Sequence, residues 1–497
     1  MKENNKVSRR GFLGTSAVAA AAITILPSNT IAGLGHRAPS DKLNIAAVGI
    51  GGMGHGNLKN LKSENIVGLC DVDWKYADNC FKEFPQAKKY KDWRVMYDEL
   101  GKSIDGVLVA TADHTHAIIA SHAITMGKHV YVQKPLTHSV YESRLLTKLA
   151  DKYKVATQMG NQGSSAEGVN LTCEWIANGE IGEITKVEAF TDRPIWPQGL
   201  NTPKTTPPVP ETLDWDLFTG PAKMVPYNEL YHPWNWRGWW NYGTGALGDM
   251  ACHILHPVFV GLKLGYPTKA QGNSTLLLTD CAPTAQSVRL TFPERVKPNN
   301  FKIKLPAVQV FWYDGGIKMM LPNGWPVGKN PNDQGGGVFF HGTKGILVCG
   351  CYGVNPWILR PDGTVAKPEA PKFRRRVPTS HEMDWVRATK ESPATRVKTA
   401  SDFSEAGPFN EMVVMGVLAV RLQALNKELN WNGPKMQFTN LTDSEEIKTV
   451  IEDKFSIHDG HPTFNKTFTD PVNAKAYAAE LIKHTYRTPW SLPEMPA

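Results

Sequence analysis

Apolar positions follow two regimes along this chain. Between residues 43 and 159, short apolar runs at 43–48, 66–70, 106–110, 129–133 and 155–159 have the length of buried strands. Helical patterning follows the first run to about residue 61, then spans about 116–126 and 139–152. At the last of these, Ser139 and Glu142 have the spacing of a capping box. Strands alternating with helices predict an α/β unit with a parallel, doubly wound sheet over 42–160. After Gly160 the pattern changes. Longer strands at 185–191, 287–292, 308–312 and 345–349 are separated by loops rich in Pro, Gly and Trp, chiefly 193–242 and 321–337. This predicts an α+β domain over 161–440, with an open, largely antiparallel sheet. Residues 441–497 read as an extension of helix and proline-rich coil that wraps the surface.

The first 32 residues read as a targeting segment rather than structure. Lys2, Lys6, Arg9 and Arg10 form a basic region, residues 17–26 a short alanine-rich run, and Thr30-Ile31-Ala32 a small-residue cleavage site. Ser8-Arg9-Arg10-Gly11-Phe12-Leu13 has the form of a twin-arginine signal, which implies a periplasmic or otherwise exported protein. The run is shorter than the ~20 residues that span a bilayer, and no later run is long enough, so no stable membrane insertion is expected. Net charge is +8, of which residues 1–32 carry +3 (four basic, one acidic), leaving +5 dispersed over the rest. With no basic block, nucleic acid is not an expected partner. Seven cysteines, an odd number without metal-type spacing, read as buried thiols.

Gly49-Ile50-Gly51-Gly52-Met53-Gly54 follows the first strand and opens the first helix, with Asp71 22 residues after Gly49 at the end of the second strand. In this context the glycine turn is the fingerprint of a dinucleotide-binding Rossmann fold. Gly49 permits the turn, Gly51 lets the backbone approach a pyrophosphate, and Gly54 lets the helix pack on the strand. Gly52 and Met53 begin the helix, whose free N–H groups face the anion. Asp71 can accept hydrogen bonds from the adenosine ribose and would repel a 2′-phosphate, so NAD is expected and NADP disfavoured.

Gly127-Lys128-His129-Val130-Tyr131-Val132-Gln133-Lys134-Pro135 is similar to the G-K-H-V-x-x-E-K-P signature of the glucose–fructose oxidoreductase/inositol dehydrogenase (Gfo/Idh/MocA) family. The segment from Ala110 to His116, containing Thr111, resembles that family's turn after the fourth strand. Gly245-Ala246-Leu247-Gly248-Asp249-Met250-Ala251-Cys252-His253 resembles its Asp/His helix start. Gln133 departs from the family's glutamate. The resemblance implies an oxidoreductase of sugars or polyols with Thr111, His116 and Lys134 at the cofactor.

Oxidising a carbinol removes a hydride and a proton together. Histidine suits the base, and His253 is the candidate. Lys134 can place an ammonium beside the forming carbonyl. Asp249, four residues before His253, shares its helix face and can bind a neighbouring hydroxyl or hold the imidazole. Asp249, His253 and His256 also have helical spacing for a metal, but hydride transfer needs none and none is expected. Residues 231–242 hold four tryptophans and two tyrosines. Trp236, Arg237 and Trp240 there could form a sugar platform, or the loop could be core or subunit interface. Asn161, Arg193 and Trp196 are further substrate candidates.

The expected protein is therefore an exported oxidoreductase transferring hydride between a sugar or glycoside hydroxyl and tightly bound NAD, recycled within the site. It is expected to be a homodimer or homotetramer. A redox-neutral, NAD-dependent glycoside hydrolase or lyase is one alternative, and a non-catalytic sugar-binding protein another.

Overall fold

The computed structural model describes residues 41–497, so the expected export segment lies outside the described residues. Six strands, β1 (Asn44–Val48), β2 (Asn65–Cys70), β3 (Lys88–Tyr90), β4 (Gly106–Val109), β5 (His129–Val132) and β6 (Thr157–Met159), form a parallel sheet in the order β3-β2-β1-β4-β5-β6. All four residues of β4 are buried, as expected of a strand with helices on both faces. The helix Val140–Tyr153 begins with the expected capping box: Glu142 N donates to Ser139 Oγ at 3.3 Å and Ser139 N to Glu142 Oε2 at 3.0 Å. Three elements were not expected: the helices Asp78–Glu83 and Trp93–Leu100, and β3 between them. β3 is three residues long and opens with two exposed lysines, so it makes no apolar run.

The second sheet has ten strands: β7 (Ile184–Thr191), β8 (Lys269–Ser274), β9 (Gln286–Phe292), β10 (Val308–Tyr313), β11 (Gly336–Gly342), β12 (Gly345–Gly350), β13 (Trp357–Leu359), β14 (Val365–Ala366), β15 (Leu429–Asn432) and β16 (Gln437–Phe438). Their order is β14-β13-β12-β11-β7-β10-β9-β8-β15-β16. Only β7 and β10 pair in parallel. In β9 every second residue is buried, the signature of a sheet covered on one face. The covering element is the helix Phe403–Arg421, which packs on β8 and β9 and also on the helix Val140–Tyr153 of the first domain. Asn410 ties this seam: it accepts from Leu136 N at 3.1 Å and donates to Thr137 O at 3.1 Å.

The chain also returns to the first domain late. The helix His381–Thr389 buries Trp385 completely. Its indole lies over Gly106, where a Cβ would come within 2.8 Å of the ring. Beyond residue 440 come an exposed two-stranded hairpin, Val450–His458 with His461–Phe468, and the helix Ala474–Ile482. The hairpin was not expected, because its apolar residues face solvent and are spaced by charged and polar ones. All seven cysteines are free and buried. Among the described residues, no helix is long and apolar enough to cross a membrane.

Candidate active site

The C-terminal ends of β3, β2, β1, β4 and β5 follow one another along the first sheet's edge. They carry, in that order, Lys91, Asp71, Gly49, Thr111 and Lys134, all of which line one cleft of about 570 Å³. Four strand spacings separate its ends, roughly 19 Å at ~4.8 Å each. Such a trough along the carboxyl ends of parallel strands is where this architecture takes an extended ligand.

Gly49 has φ +78°, and a Cβ there would lie 2.6 Å from the backbone of Ala110 and Thr111. Gly54 does not line the cleft; a Cβ there would lie 2.0 Å from Gly49 O, the close packing its position requires. Gly51, Gly52 and Met53 line the cleft, and no side chain caps the helix Met53–Asn60 that starts there. The uncapped helix start suits an anion such as a pyrophosphate. Tyr76 covers Gly51, where a Cβ would meet its ring at 2.1 Å. Asp71 Oδ2 accepts from Ile50 N at 2.8 Å and Gly51 N at 3.1 Å, and Oδ1 from Asp73 N at 3.0 Å. Burial pushes this carboxyl up, with the amides of Asp73 and Ile50 opposing. Asp71 therefore anchors the glycine turn as well as facing the cleft. Beyond it, His232 contacts Asp73 Oδ2 at 3.0 Å. Burial alone would raise the Asp73 carboxyl, but hydrogen bonds from His232 and Thr212 bring it down to about 2.

At the other end, Lys134 Nζ donates to Asp249 Oδ1 at 2.6 Å, and Arg237 Nε reaches the same oxygen at 3.4 Å. Burial opposes ionisation of Asp249, but the charges of Lys134 and Arg237 outweigh it and hold the carboxyl at about 2. His253 lies one helical turn beyond Asp249 on the helix Gly245–Ile254 and lines the cleft. Burial, then the Lys134 charge, depress its imidazole to about 3, so the ring is neutral near pH 7. Its Nδ1 is buried with no partner among the described residues, which leaves Nε2 as the nitrogen able to meet a ligand. The Tyr352 ring packs on it at 4.6 Å. Tyr352 also lines the cleft, in a left-handed conformation with φ 61°. For a residue of this size that is uncommon, and such strain gathers at functional sites.

These side chains are held from behind. Gln133 Oε1 accepts from Lys134 N at 3.2 Å while its Nε2 donates to Asn57 Oδ1 at 2.8 Å. The amide thus uses a donor and an acceptor together. A carboxylate in its place has no hydrogen for Asn57, which accounts for the departure from the family's glutamate. Asp113 Oδ2 accepts from Thr244 N at 3.1 Å and Thr244 Oγ1 at 2.8 Å, fixing the start of the Asp249/His253 helix against the first domain. Burial pushes the Asp113 carboxyl up to about 7 despite the Thr244 bonds.

The aromatic loop divides between the cleft and the core. Arg237 lies 3.8 Å over Trp234 and 4.3 Å over Trp236 and extends toward Trp196, and all four line the cleft. Trp239 and Tyr242 belong instead to a buried aromatic cluster. Trp240 sits in the main core under Arg421, away from the cleft. Arg193 lines the cleft and pairs with Asp192 at 2.5 Å. Two further candidates do not line it. His116 is buried, with its ring nitrogens 2.8 Å from Pro135 O and 3.1 Å from Thr111 O, so it braces the lysine–proline turn. Asn161 is buried and donates to Cys252 O at 3.4 Å. His256 contacts Glu405 at 3.2 Å instead. Tyr76, Asp113, Tyr352 and Trp490 were missed as site residues. Only Asp113 had a local signal, since it stands within the segment that resembled the family.

Residues 43–161 match the model of the Gfo/Idh/MocA oxidoreductase family's NAD-binding Rossmann fold, and residues 180–294 match that of its C-terminal α/β domain. The chain is 27% identical over 147 residues to glucose-6-phosphate 3-dehydrogenase of Bacillus subtilis (strain 168), covering 29% of this chain and 41% of that one. It is 25% identical over 208 residues to a glycosyl hydrolase family 109 protein of Shewanella pealeana (strain ATCC 700345 / ANG-SQ1), covering 37% and 46%. The matches thus span less than half the length of these relatives. In fold it resembles the crystal structure of an NAD-binding oxidoreductase from Klebsiella pneumoniae, with a TM-score of 0.53 at 16% identity, over 78% of this chain and 99% of that one.

Proposed function

This chain belongs to the Gfo/Idh/MocA oxidoreductase family, and on that premise we propose that it oxidises a sugar or glycoside hydroxyl with a tightly held NAD. The observation that carries the reading is the meeting of Lys134, Asp249 and His253 at one end of the cleft that runs on past the glycine turn and Asp71. The uncapped helix start beside the glycine turn suits the pyrophosphate, and Asp71 disfavours a 2′-phosphate beside it. When bound, NAD supplies a nicotinamide ring that takes or returns a hydride. The neutral imidazole of His253 accepts the hydroxyl proton at Nε2. Lys134 Nζ stabilises negative charge on the substrate oxygen, and the Asp249 carboxylate offsets the imidazolium that forms. Arg237, with Trp196, Trp234 and Trp236, gives a flat apolar face and a donor for the sugar.

Residues 8–13 support export through the twin-arginine route to the periplasm. Outside the cytoplasm free NAD is scarce, so the hydride must return within the site, to a second sugar or to the same substrate. The one-sided burial of β9 supports a homodimer or homotetramer in which a second copy covers the outer face. The redox-neutral glycoside hydrolase is the second reading, favoured by the relative from Shewanella pealeana.

Purified protein, denatured after prolonged dialysis, is expected to release NAD(H) and little NADP(H). Before denaturation, a glycoside should raise absorbance at 340 nm without added cofactor, and the matching keto-sugar should reverse it. Protein that emerges empty and turns over only with continuous NAD supply would sink the closed cycle. Release of free sugar with no net NADH would favour the hydrolase.

A further inference from the structure

The cleft's β3 end is lined by Trp490, 138 positions beyond Tyr352, the next nearest site residue in sequence. Cys70 of β2 is in register with Tyr90 of β3, so Asp71 and Lys91 stand side by side on neighbouring strand ends. Two residues on, Trp93 faces Trp490 across a centroid distance of 6.3 Å, and the Arg94 guanidinium lies 4.4 Å over the Trp490 ring. Arg94 is itself fixed on the Asp92 carboxylate, its Nε 3.0 Å from both oxygens and its Nη2 2.6 Å from Oδ2. Trp490 lines the cleft together with Lys91, Trp93 and Ile119.

The segment that brings Trp490 here is tied down along its length. Tyr486 donates its hydroxyl to Glu142 at 2.7 Å, and His484 packs on His138 at 4.7 Å. Arg487 N donates to Pro221 O at 2.9 Å. Its Nε donates to Gly220 O at 3.1 Å and its Nη1 to Asp216 at 2.8 Å. Trp490 N closes a turn onto Arg487 O at 2.8 Å. Arg487 does not line the cleft. It serves as the anchor that aims the indole.

We infer that residues 484–490 form part of the nucleotide site, with Trp490 as the stacking wall for the flat purine of an adenine nucleotide. This rests on the dinucleotide reading. With a ribose at Asp71, the base attached to it lies toward β3, where the apolar lining is Trp93 and Trp490. An indole backed by a guanidinium offers such a base a wide π-face.

The test is calorimetric titration of the full-length, cofactor-stripped protein with NAD, AMP and nicotinamide mononucleotide. Trp490→Ala is expected to weaken AMP and NAD by roughly 5- to 100-fold, the range of base–aromatic stacking, and to leave nicotinamide mononucleotide unchanged. Trp490→Phe should recover most of the loss. Arg487→Ala, which cuts the anchor without entering the cleft, should weaken AMP in the same direction. AMP affinity unchanged in Trp490→Ala would overturn the inference and leave the dinucleotide reading standing. Equal losses for AMP and nicotinamide mononucleotide in all three variants would also overturn it, since the strap would then support the fold and not the base. A wild type that binds neither NAD nor AMP would instead overturn the dinucleotide reading, and the inference with it.

Discussion

Lys134 and Asp249 form an enclosed ion pair in the site, 2.6 Å between side chains that are each only 12% exposed. A pair so enclosed cannot lose one partner without leaving the other charge poorly compensated. Lys134→Ala leaves Asp249 with Arg237 at 3.4 Å, so the fold should survive. His253→Ala removes a neutral ring and leaves the ion pair intact. Each variant is expected to lose roughly 10²–10⁴ in turnover, the contribution of a positioned acid–base group, while keeping its NAD. Bound NAD and single-turnover reduction, measured on the same preparation, check this. Near-normal turnover in either variant would remove that residue from the chemistry. These residues were legible because their signals are local: a lysine at a strand end, and a carboxylate one helical turn from an imidazole. Tyr352 was not. Its neighbours in sequence form an ordinary strand end, and only the folded chain sets its ring against His253.

At the scale of elements, the helix Val140–Tyr153 is placed by its first turn. Ser139 and Glu142 cap each other, and Glu142 Oε1 also accepts the Tyr486 hydroxyl that ties down the C-terminal strap. Ser139→Ala is expected to cost about 1 kcal/mol, within the usual range for loss of an N-cap, with the cofactor site unaltered. A urea midpoint unchanged from wild type would show that the cap is redundant. The capping box and the alternating strands were readable because each is settled within a few residues. β3 and the hairpin at 450–468 were not readable: the first is held by its neighbours in the sheet, and the second carries its apolar side chains outward. Nothing local assigns the helix His381–Thr389 to the first sheet, where Trp385 is buried.

Among the described residues, burial has depressed seven imidazoles. His114, His116 and His129 fall to about 4 and His253 and His484 to about 3, with His138 and His381 also lowered. An unfolded chain takes up these protons near pH 6.5, whereas the folded one does not. Stability should therefore fall as pH drops from about 6.5 toward 4. Asp113 and Asp314, raised to about 7, act in the opposite sense, since the stability they give is present at low pH and lost as pH rises toward 7. Burial also raises the carboxyls of Asp71, Glu142 and Glu411, so seven imidazoles stand against five carboxyls. The balance predicts net acid lability: the thermal midpoint should drop from pH 7 to pH 5, with proton uptake on unfolding. A midpoint that holds or rises on acidification would contradict this.

Sequence alone determined the features whose physics is local: the glycine turn that only Gly49 can make, the parallel strands, the capped helix and the Lys134 and Asp249/His253 signals. Tertiary structure decided what those features face. It placed the strand ends in one line, set Asp249 against Lys134 from another domain, sent Trp240 to the core and Trp236 to the cleft, and carried Trp490 to the β3 end. None of these is encoded in neighbouring residues. Each depends on which surfaces meet when the two domains bury their shared core.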